Sequence, residues 1–358
     1  MCGRGIDQVL AHPCSPEIHE QSVRSAGRYV VLAEQENGPI PRRSGPSYVW
    51  GAALDQLARM RPDARIINLE TAVTRCRDRA CKGVNYRMSP ENADCLAAAK
   101  IDCCVLANNH VLDYGRLGLE ETLATLQKLD IRATGAGRND REASAPAVLN
   151  LAYARLLIFS FALTSSGVPL EWAATEGAPG INLLPDLSEA SASEVADRIV
   201  ALKRPGDLIV VSIHWGSNWG FYIPDEQMVF ARTLIDQANV SIVHGHSSHH
   251  PRAIEIYRDR LILYGCGDFL NDYEGIRGYE RYRDDLVLMY FADLDATDGC
   301  LHALNLIPLQ IRNFRLSIPA RRDIEWIQQT LDRECRKFEA RLILGSEGQL
   351  AVAGPGRT

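Results

Sequence analysis

The feature that most constrains this chain is the segment Asp102–Gly115, in which an apolar strand pattern runs into a polar corner and then a helix. Small or apolar residues precede the corner, which is formed by Asn108, Asn109 and His110. Leucines at 119, 123, 126 and 129 then recur at helical spacing. Ligands of open α/β sheets bind at such corners, at the carboxyl ends of strands. An amide beside an imidazole can offer two neutral metal ligands there, although on this segment alone simple hydrogen bonding within the loop is the commoner role.

The same pattern occurs four times: a short apolar strand ends, and a side chain that can bind a metal follows it. These side chains are Glu70, Asn109 with His110, His214, and His246 with His249. Histidines that only pack in a core have no reason to follow strands so consistently. Carboxylate and imidazole groups suit Zn, Mn and Fe. Two such ions about 3.5–4 Å apart can hold a hydroxide and polarise a phosphoryl oxygen, and a histidine that is not a ligand can protonate the leaving group.

Composition excludes several classes of protein. The chain has 358 residues, 46 % of them hydrophobic, which is enough for a sizeable core. Its net charge of −6 argues against a general nucleic-acid binder, whose surface would carry a basic excess. We find no apolar run of the roughly 18 residues that a membrane span needs. The chain as given is therefore expected to be cytoplasmic, with an export signal not excluded.

The ten cysteines are scattered without a repeat, which favours reduced thiols over a disulfide framework. Cys103 and Cys104 are adjacent on a predicted strand and should point to opposite faces. Cys76 and Cys81 could bridge locally or bind a metal, but no second pair stands near them.

The remaining pattern predicts alternating strands and helices with no domain boundary before about residue 315. We predict a hairpin over 147–162, a helix over 188–202 capped by Ser188, strands at 207–213, 240–243, 285–292 and 301–313, a second hairpin over 254–264, and a final helix over 324–342. Residues 1–315 would form one domain, and residues 316–358 would add the final helix and a loose tail after Gly345.

Taken in order, the motifs resemble the CapA-type capsule and poly-γ-glutamate biosynthesis proteins, which share the calcineurin-like metallophosphoesterase fold. The matching motifs are Asn68-Leu69-Glu70, Ala107-Asn108-Asn109-His110 with Asp113 and Gly115, Gly135-Ala136-Gly137, His214-Trp215-Gly216, Gly245-His246 with His249, and Tyr264-Gly265. The likeness runs from Met1 to about residue 315. It implies an α/β (α+β) fold, a four-layer α/β/β/α sandwich of two face-to-face sheets with helices outside.

The resemblance also implies roles for individual residues. The metal ligands would be Glu70, Asn109, His214, His246 and His249, holding two divalent ions such as Mn, Zn or Fe. His110 would be the proton donor near the scissile bond, and Asp113 would orient it. For His244 and His250 a role in the site and an ordinary loop position are equally open. Trp215 and Trp219 are expected to be packing walls rather than substrate platforms.

Three motifs depart from the family pattern. Asn218 stands where a glutamate is usual, two residues after the glycine of His-Trp-Gly. Asp268 replaces the asparagine of a common Gly-Asn-Phe motif. An acid at 268 could adjust the charge of the site or act as a ligand. The histidine loop reads Gly-His-Ser-Ser-His in place of Gly-His-His-Pro-His.

The largest departure is at the start. The family opens with a strand ending in Gly-Asp, and only Met1 and Arg4 match the residues that follow it. The first core strand and the first metal-ligand aspartate are missing, and Asp7 lies on a different element. We hypothesise a start codon about ten residues upstream, a strand's length, or a truncated form, and we expect weak metal binding and poor stability from the chain as given.

Three functions remain open because fold alone does not determine activity. The first is a metal-dependent hydrolase of phosphoesters or γ-glutamyl amides. The second is a non-catalytic accessory protein that binds or exports an anionic polymer, and the third is a cytoplasmic phosphoesterase with an unrelated substrate. The basic loop of Arg75, Arg77, Arg79 and Lys82 could meet an anionic polymer, but a solvated loop is the expected interpretation.

Overall fold

The computed structural model describes residues 1–354, and helices and strands alternate along most of this length. The helices are α1 (Gly5–Val9), α2 (Gly27–Asn37), α3 (Ala53–Met60), α4 (Asp94–Ala98), α5 (Gly115–Lys128), α6 (Asp140–Ser144), α7 (Glu189–Leu202), α8 (Asp225–Ala238) and α9 (Arg321–Cys335). The protein is thus a mixed α/β fold, as the sequence predicts. The leucine repeat falls on α5, and Ser188 caps α7 by accepting a hydrogen bond from the Ser191 amide.

The strands are short in the first half of the chain and longer in the second half. They are β1 (Ile66–Asn68), β2 (Ala72–Val73), β3 (Arg87–Met88), β4 (Cys103–Val105), β5 (Arg132–Thr134), β6 (Ala136–Gly137), β7 (Ala147–Asn150), β8 (Arg155–Ala162), β9 (Gly180–Ile181), β10 (Leu208–His214), β11 (Ile242–His246), β12 (Ile254–Tyr257), β13 (Arg260–Leu263), β14 (Leu286–Leu294), β15 (Leu301–Arg312), β16 (Arg315–Ser317), β17 (Arg341–Leu344) and β18 (Leu350–Ala353).

Three larger sheets organise these strands. A parallel three-stranded sheet has the order β1-β4-β5, and a six-stranded sheet has the order β12-β13-β11-β10-β8-β7. The third sheet runs β14-β15-β18-β17, with β16 also paired to β15. The neighbouring strands β8, β10, β11 and β13 are parallel, so the carboxyl ends of β8, β10 and β11 meet at one edge.

Alternation along the strands decides what packs on each face. Cys103 and Val105 of β4 share a buried cluster with Ile158 of β8 and Val210 of β10, so these two sheets face each other. Cys104 points the other way, into the cluster that contains leucines of α5. The outer face of the six-stranded sheet packs on α7 and α8.

The predicted four-layer sandwich stays a prediction at this level of detail. The strands that would complete its other sheet lie in two separate groups, β1-β4-β5 and β14-β15-β18-β17, among the described residues. The first strand of residues 1–354 is β1. None of the ten cysteines, all within that range, is in a disulfide.

Two predictions near the C-terminus are wrong. The final helix ends at Cys335 rather than at residue 342, because Arg341–Leu344 turns back as β17. The tail after Gly345 is not loose over Leu350–Ala353, which pairs with both β17 and β15. Leu350 is fully buried, so the hairpin carries an apolar anchor. Positions 355–358 of the predicted tail lie outside the described residues.

Candidate metal and acid–base site

Parallel pairing of β10 and β11 places two of the predicted ligands side by side. His214 stands opposite His246 in the register, and their Nδ1 atoms are 2.8 Å apart. The other ring nitrogen of His246, Nε2, is 2.8 Å from the Ser212 hydroxyl, which also lies 2.9 Å from Nδ1 of His244. The carboxyl-terminal ends of these two strands therefore carry a continuous row of polar side chains.

Glu70 reaches this row from the end of β1. Its Oε1 atom lies 3.8 Å from His214 Nε2, and its Oε2 accepts a 2.8 Å hydrogen bond from Asn68. Burial would raise the pKa of Glu70, but the imidazoles of His214, His110 and His249 hold that pKa below its ordinary value. Burial lowers the pKa of His214 to about 4 against the attraction of Glu70. At neutral pH an ionised carboxylate thus faces a neutral imidazole.

Asn108 holds the polar corner in place, a role that the sequence patterns do not reveal. Its amide nitrogen donates to Asn68 Oδ1 and to the Leu69 carbonyl, each at 3.0 Å. Its amide oxygen accepts from the backbone amides of His110 and Val111, also at 3.0 Å. One fully buried side chain thereby joins the ends of β1 and β4.

His110 and Asp113 form the pair that the resemblance implies. The Nδ1 atom of His110 lies 2.7 Å from Asp113 Oδ2, and the same oxygen accepts a 2.6 Å hydrogen bond from the Tyr86 amide. The Tyr86 ring packs edge-on against His110 with centroids 4.7 Å apart. The carboxylate therefore fixes Nδ1 and leaves Nε2 of His110 as the nitrogen available to a substrate.

Asp268, the unusual acid, lies against His249. Its two oxygens are 3.1 and 3.2 Å from His249 Nδ1. Burial would lower the pKa of His249, but the charge and hydrogen bond of Asp268 outweigh it and raise that pKa. A carboxylate on one histidine nitrogen is the arrangement that commonly orients the other nitrogen toward a metal.

His250, which the sequence left open, and the two tryptophans contact neighbouring aromatic or backbone groups. His250 accepts a 3.1 Å hydrogen bond from the Gly220 amide and stacks on Tyr282. Trp215 is buried and donates to the Tyr264 carbonyl, so it packs in the interior. Trp219 stacks on Tyr279 at a centroid distance of 4.1 Å and also contacts His249.

Sequence reasoning missed Lys82, whose ammonium donates to Asp113 Oδ1 at 2.8 Å and also to the Asn109 carbonyl. Its loop was expected to be solvated, and the charge pattern alone gave no reason to separate Lys82 from the neighbouring arginines. The distance in space between Lys82 and the polar corner depends on how the loop folds. Only the three-dimensional structure therefore shows that the two are in contact.

The donor chemistry of the site fits a divalent cation, although the side chains do not form a closed cage. Within residues 1–354, no three or more His, Cys, Asp or Glu side chains are grouped so that they could hold a metal. Asn109 Oδ1 and His214 Nε2 are nevertheless buried without a hydrogen-bond partner. Buried polar atoms of this kind call for a ligand, ion or water. Glu70 lies beside His214, and imidazole and carboxylate groups are ligands that borderline divalent metals accept.

Together the structure defines a mixed α/β protein whose imidazole, amide and carboxylate groups gather at the carboxyl ends of its strands. The chain matches the family described as bacterial capsule synthesis protein PGA_cap over residues 1–273, and it belongs to that family.

Several relatives share much of its length. A probable polyglutamine synthesis accessory protein of Mycobacterium tuberculosis is 43% identical over 355 residues, which cover 98% of this chain and 93% of the relative. The PGA biosynthesis protein CapA of Bacillus subtilis is 27% identical over 276 residues, 75% of this chain and 67% of the relative. The capsule biosynthesis protein CapA of Bacillus anthracis is 26% identical over 234 residues, 65% of this chain and 54% of the relative.

No helix in the described part of the chain has the length and apolar character needed to span a membrane.

Proposed function

We propose that this protein acts in the synthesis of a capsule or poly-glutamate polymer, as the names of its relatives suggest, through a metal-dependent hydrolytic site. The fold that suits this role is the metallophosphoesterase-type four-layer sandwich. Family membership supports the biological role. The observations that carry the chemistry are two buried atoms without hydrogen-bond partners, Asn109 Oδ1 and His214 Nε2, and Glu70 Oε1, which lies 3.8 Å from the latter.

The proposed ligands are Glu70, Asn109, His214, His246 and His249. When bound, two divalent ions such as Mn, Zn or Fe would supply a nucleophilic hydroxide at neutral pH and polarise the scissile group. The reaction would be hydrolysis of a phosphoester or of a γ-glutamyl amide.

His110 is the proposed general acid. Asp113 holds its Nδ1 nitrogen at 2.7 Å, so an imidazole that carries a proton on each nitrogen would deliver the Nε2 proton to the leaving group and keep the Nδ1 proton on Asp113. Asp113 does not touch the substrate in this scheme and acts by orienting the imidazole.

The test is turnover of p-nitrophenyl phosphate and of γ-glutamyl-p-nitroanilide by metal-loaded protein. We expect His110→Ala to lower kcat by about 100-fold or more, the usual contribution of general acid–base catalysis, while metal content stays at the wild-type value. The exposed His12 provides the matched control, and His12→Ala should leave both quantities unchanged. Turnover that survives His110→Ala would contradict the assignment.

A non-catalytic accessory role is the second candidate, favoured by the words of the Mycobacterium relative's name. Tight binding of poly-γ-glutamate without turnover of either substrate would select it. If the protein shows neither polymer binding nor turnover, the third candidate is left, a phosphoesterase with an unrelated substrate. A cytoplasmic location and the lack of nucleic-acid binding remain predictions.

A further inference from the structure

The loop that precedes β3 folds over Asp113 and brings a lysine into the site. The Ala80 amide donates to the Asp113 carbonyl at 2.8 Å, and the Asn85 side chain reaches the same carbonyl at 3.4 Å. These contacts fix both ends of the segment that contains Lys82. The Lys82 side chain is consequently only 23 % exposed, although the loop is rich in charge.

The Lys82 ammonium contacts each residue of the acid–base corner. It lies 2.8 Å from Asp113 Oδ1 and 3.2 Å from His110 Nδ1, and it donates to the Asn109 carbonyl. An ammonium has three donors and no acceptor. Its partners are therefore the carboxylate and the carbonyl, and the imidazole nitrogen is a neighbour whose own proton goes to Asp113 Oδ2.

Asp113 is a fully buried carboxylate whose two oxygens have different partners. Lys82 occupies Oδ1, while the Tyr86 amide and His110 share Oδ2. A buried carboxylate needs such compensation because an isolated ion is costly in the interior. If Lys82 is removed, Oδ1 loses its cation, and the carboxylate is free to rotate away from the imidazole.

The other cations of the loop do not share this position. Arg75 forms ion pairs with Glu91 and Glu121, so its charge is directed away from His110. Arg79 is exposed. The contact with the catalytic corner thus belongs to Lys82 specifically and does not follow from the loop's basic character.

We propose that Lys82 is a positioning residue that holds the Asp113 carboxylate and the Asn109 backbone so that His110 keeps one proton on Nδ1, bonded to Asp113, and presents Nε2, the nitrogen that carries the transferable proton, to the substrate. The inference rests on the proposed function, because it assigns a role within that acid–base site. It does not make Lys82 a substrate-binding cation, since two of its three donors already have acceptors within the protein.

The experiment compares wild type with Lys82→Met and the matched loop control Arg79→Met. Steady-state kinetics with p-nitrophenyl phosphate give kcat and KM, and ring ¹⁵N NMR shifts of His110 report its tautomer independently of activity. We expect Lys82→Met to lower kcat by about 10- to 100-fold, as for partners behind a functional histidine, with KM within about twofold by the same reasoning. The His110 ring should lose its uniform Nδ1–H form. Arg79→Met should change neither readout.

Other outcomes overturn the proposal. A raised KM with unchanged kcat and tautomer would make Lys82 a substrate-binding group, and unchanged values throughout would make it a bystander. If wild type turns over neither substrate, the proposed function fails, but the tautomer comparison still decides whether Lys82 positions His110. Should Lys82→Met not fold, Lys82→Arg decides, because a planar guanidinium cannot replace a point ammonium here and should displace the tautomer while keeping the charge.

Discussion

Asn108 shows how a single side chain can set the geometry of a site without entering its chemistry. The sequence draws attention to Asn109 and His110 because they can bind metals or move protons. In the structure it is Asn108 that holds the corner together, because its side-chain amide makes four hydrogen bonds between the ends of β1 and β4. Residue type alone could not separate the two asparagines, since they differ only in the direction their side chains take from the backbone.

Replacing Asn108 with alanine should destabilise the protein by about 2–4 kcal/mol, because the backbone amides of His110 and Val111 would be buried without acceptors. Urea denaturation of Asn108→Ala measures the change. Asn150→Ala, at an exposed strand end, is the control and should alter the free energy of unfolding by less than about 0.5 kcal/mol. Equal stabilities for the two variants would refute the role given to Asn108.

At the scale of elements, the sequence predicts local features well and distant pairings poorly. The α5 leucine repeat, the Ser188 cap and the β7–β8 hairpin follow from neighbouring residues, and all three are present. The β17–β18 hairpin was missed because β18 pairs with Asn305 and Leu306 of β15, far away along the chain. The four-residue pattern of β18 does not by itself indicate pairing with β15.

Deleting residues 346–358 should therefore destabilise the protein relative to a chain that ends at residue 354. The longer deletion removes β18 and the buried Leu350, a loss of about 2 kcal/mol for the leucine side chain alone, and exposes the edge of β15. Thermal unfolding of the two truncated chains gives the comparison. A melting temperature unchanged by the longer deletion would mean that the hairpin contributes nothing to the sheet.

At the scale of the whole molecule, histidines that are buried without protonation should make stability depend on pH. Burial lowers the pKa of His214, His244 and His250 to about 4 each. In the unfolded chain, histidine pKa values are about 6.5. Between that pH and about 4, these histidines are therefore protonated in the unfolded chain and neutral in the folded chain. The contribution of these histidines to the free energy of unfolding is fully present above about pH 6.5. It is lost as the pH falls toward 4, by up to about 3 kcal/mol per histidine. His249, whose pKa Asp268 raises, opposes this trend with one site.

Urea denaturation of the metal-free protein at pH 7.5 and 5 should show the loss. In His250→Phe, which keeps an aromatic ring against Tyr282, the difference between the two pH values should shrink. The exposed His12→Gln variant should retain the full difference. A free energy of unfolding that stays constant from pH 7.5 to 5 would contradict the account of these buried imidazoles.

The proposed site depends on polar side chains that are distant along the chain and meet at the strand ends. The sequence could propose this because polar residues follow apolar strands four times, and parallel strands share an edge. It could not predict that His246 would contact Ser212 or that Asp268 would hold His249, since these are side-chain contacts between different strands or loops.

Elemental analysis of protein purified and dialysed after loading with Mn, Zn or Fe tests the central claim most directly. We predict that wild type retains divalent metal and that Glu70→Gln and His214→Ala each retain clearly less, with Asn150→Ala unchanged. Protein that retains no divalent ion after dialysis, or variants that bind as much metal as wild type, would contradict it.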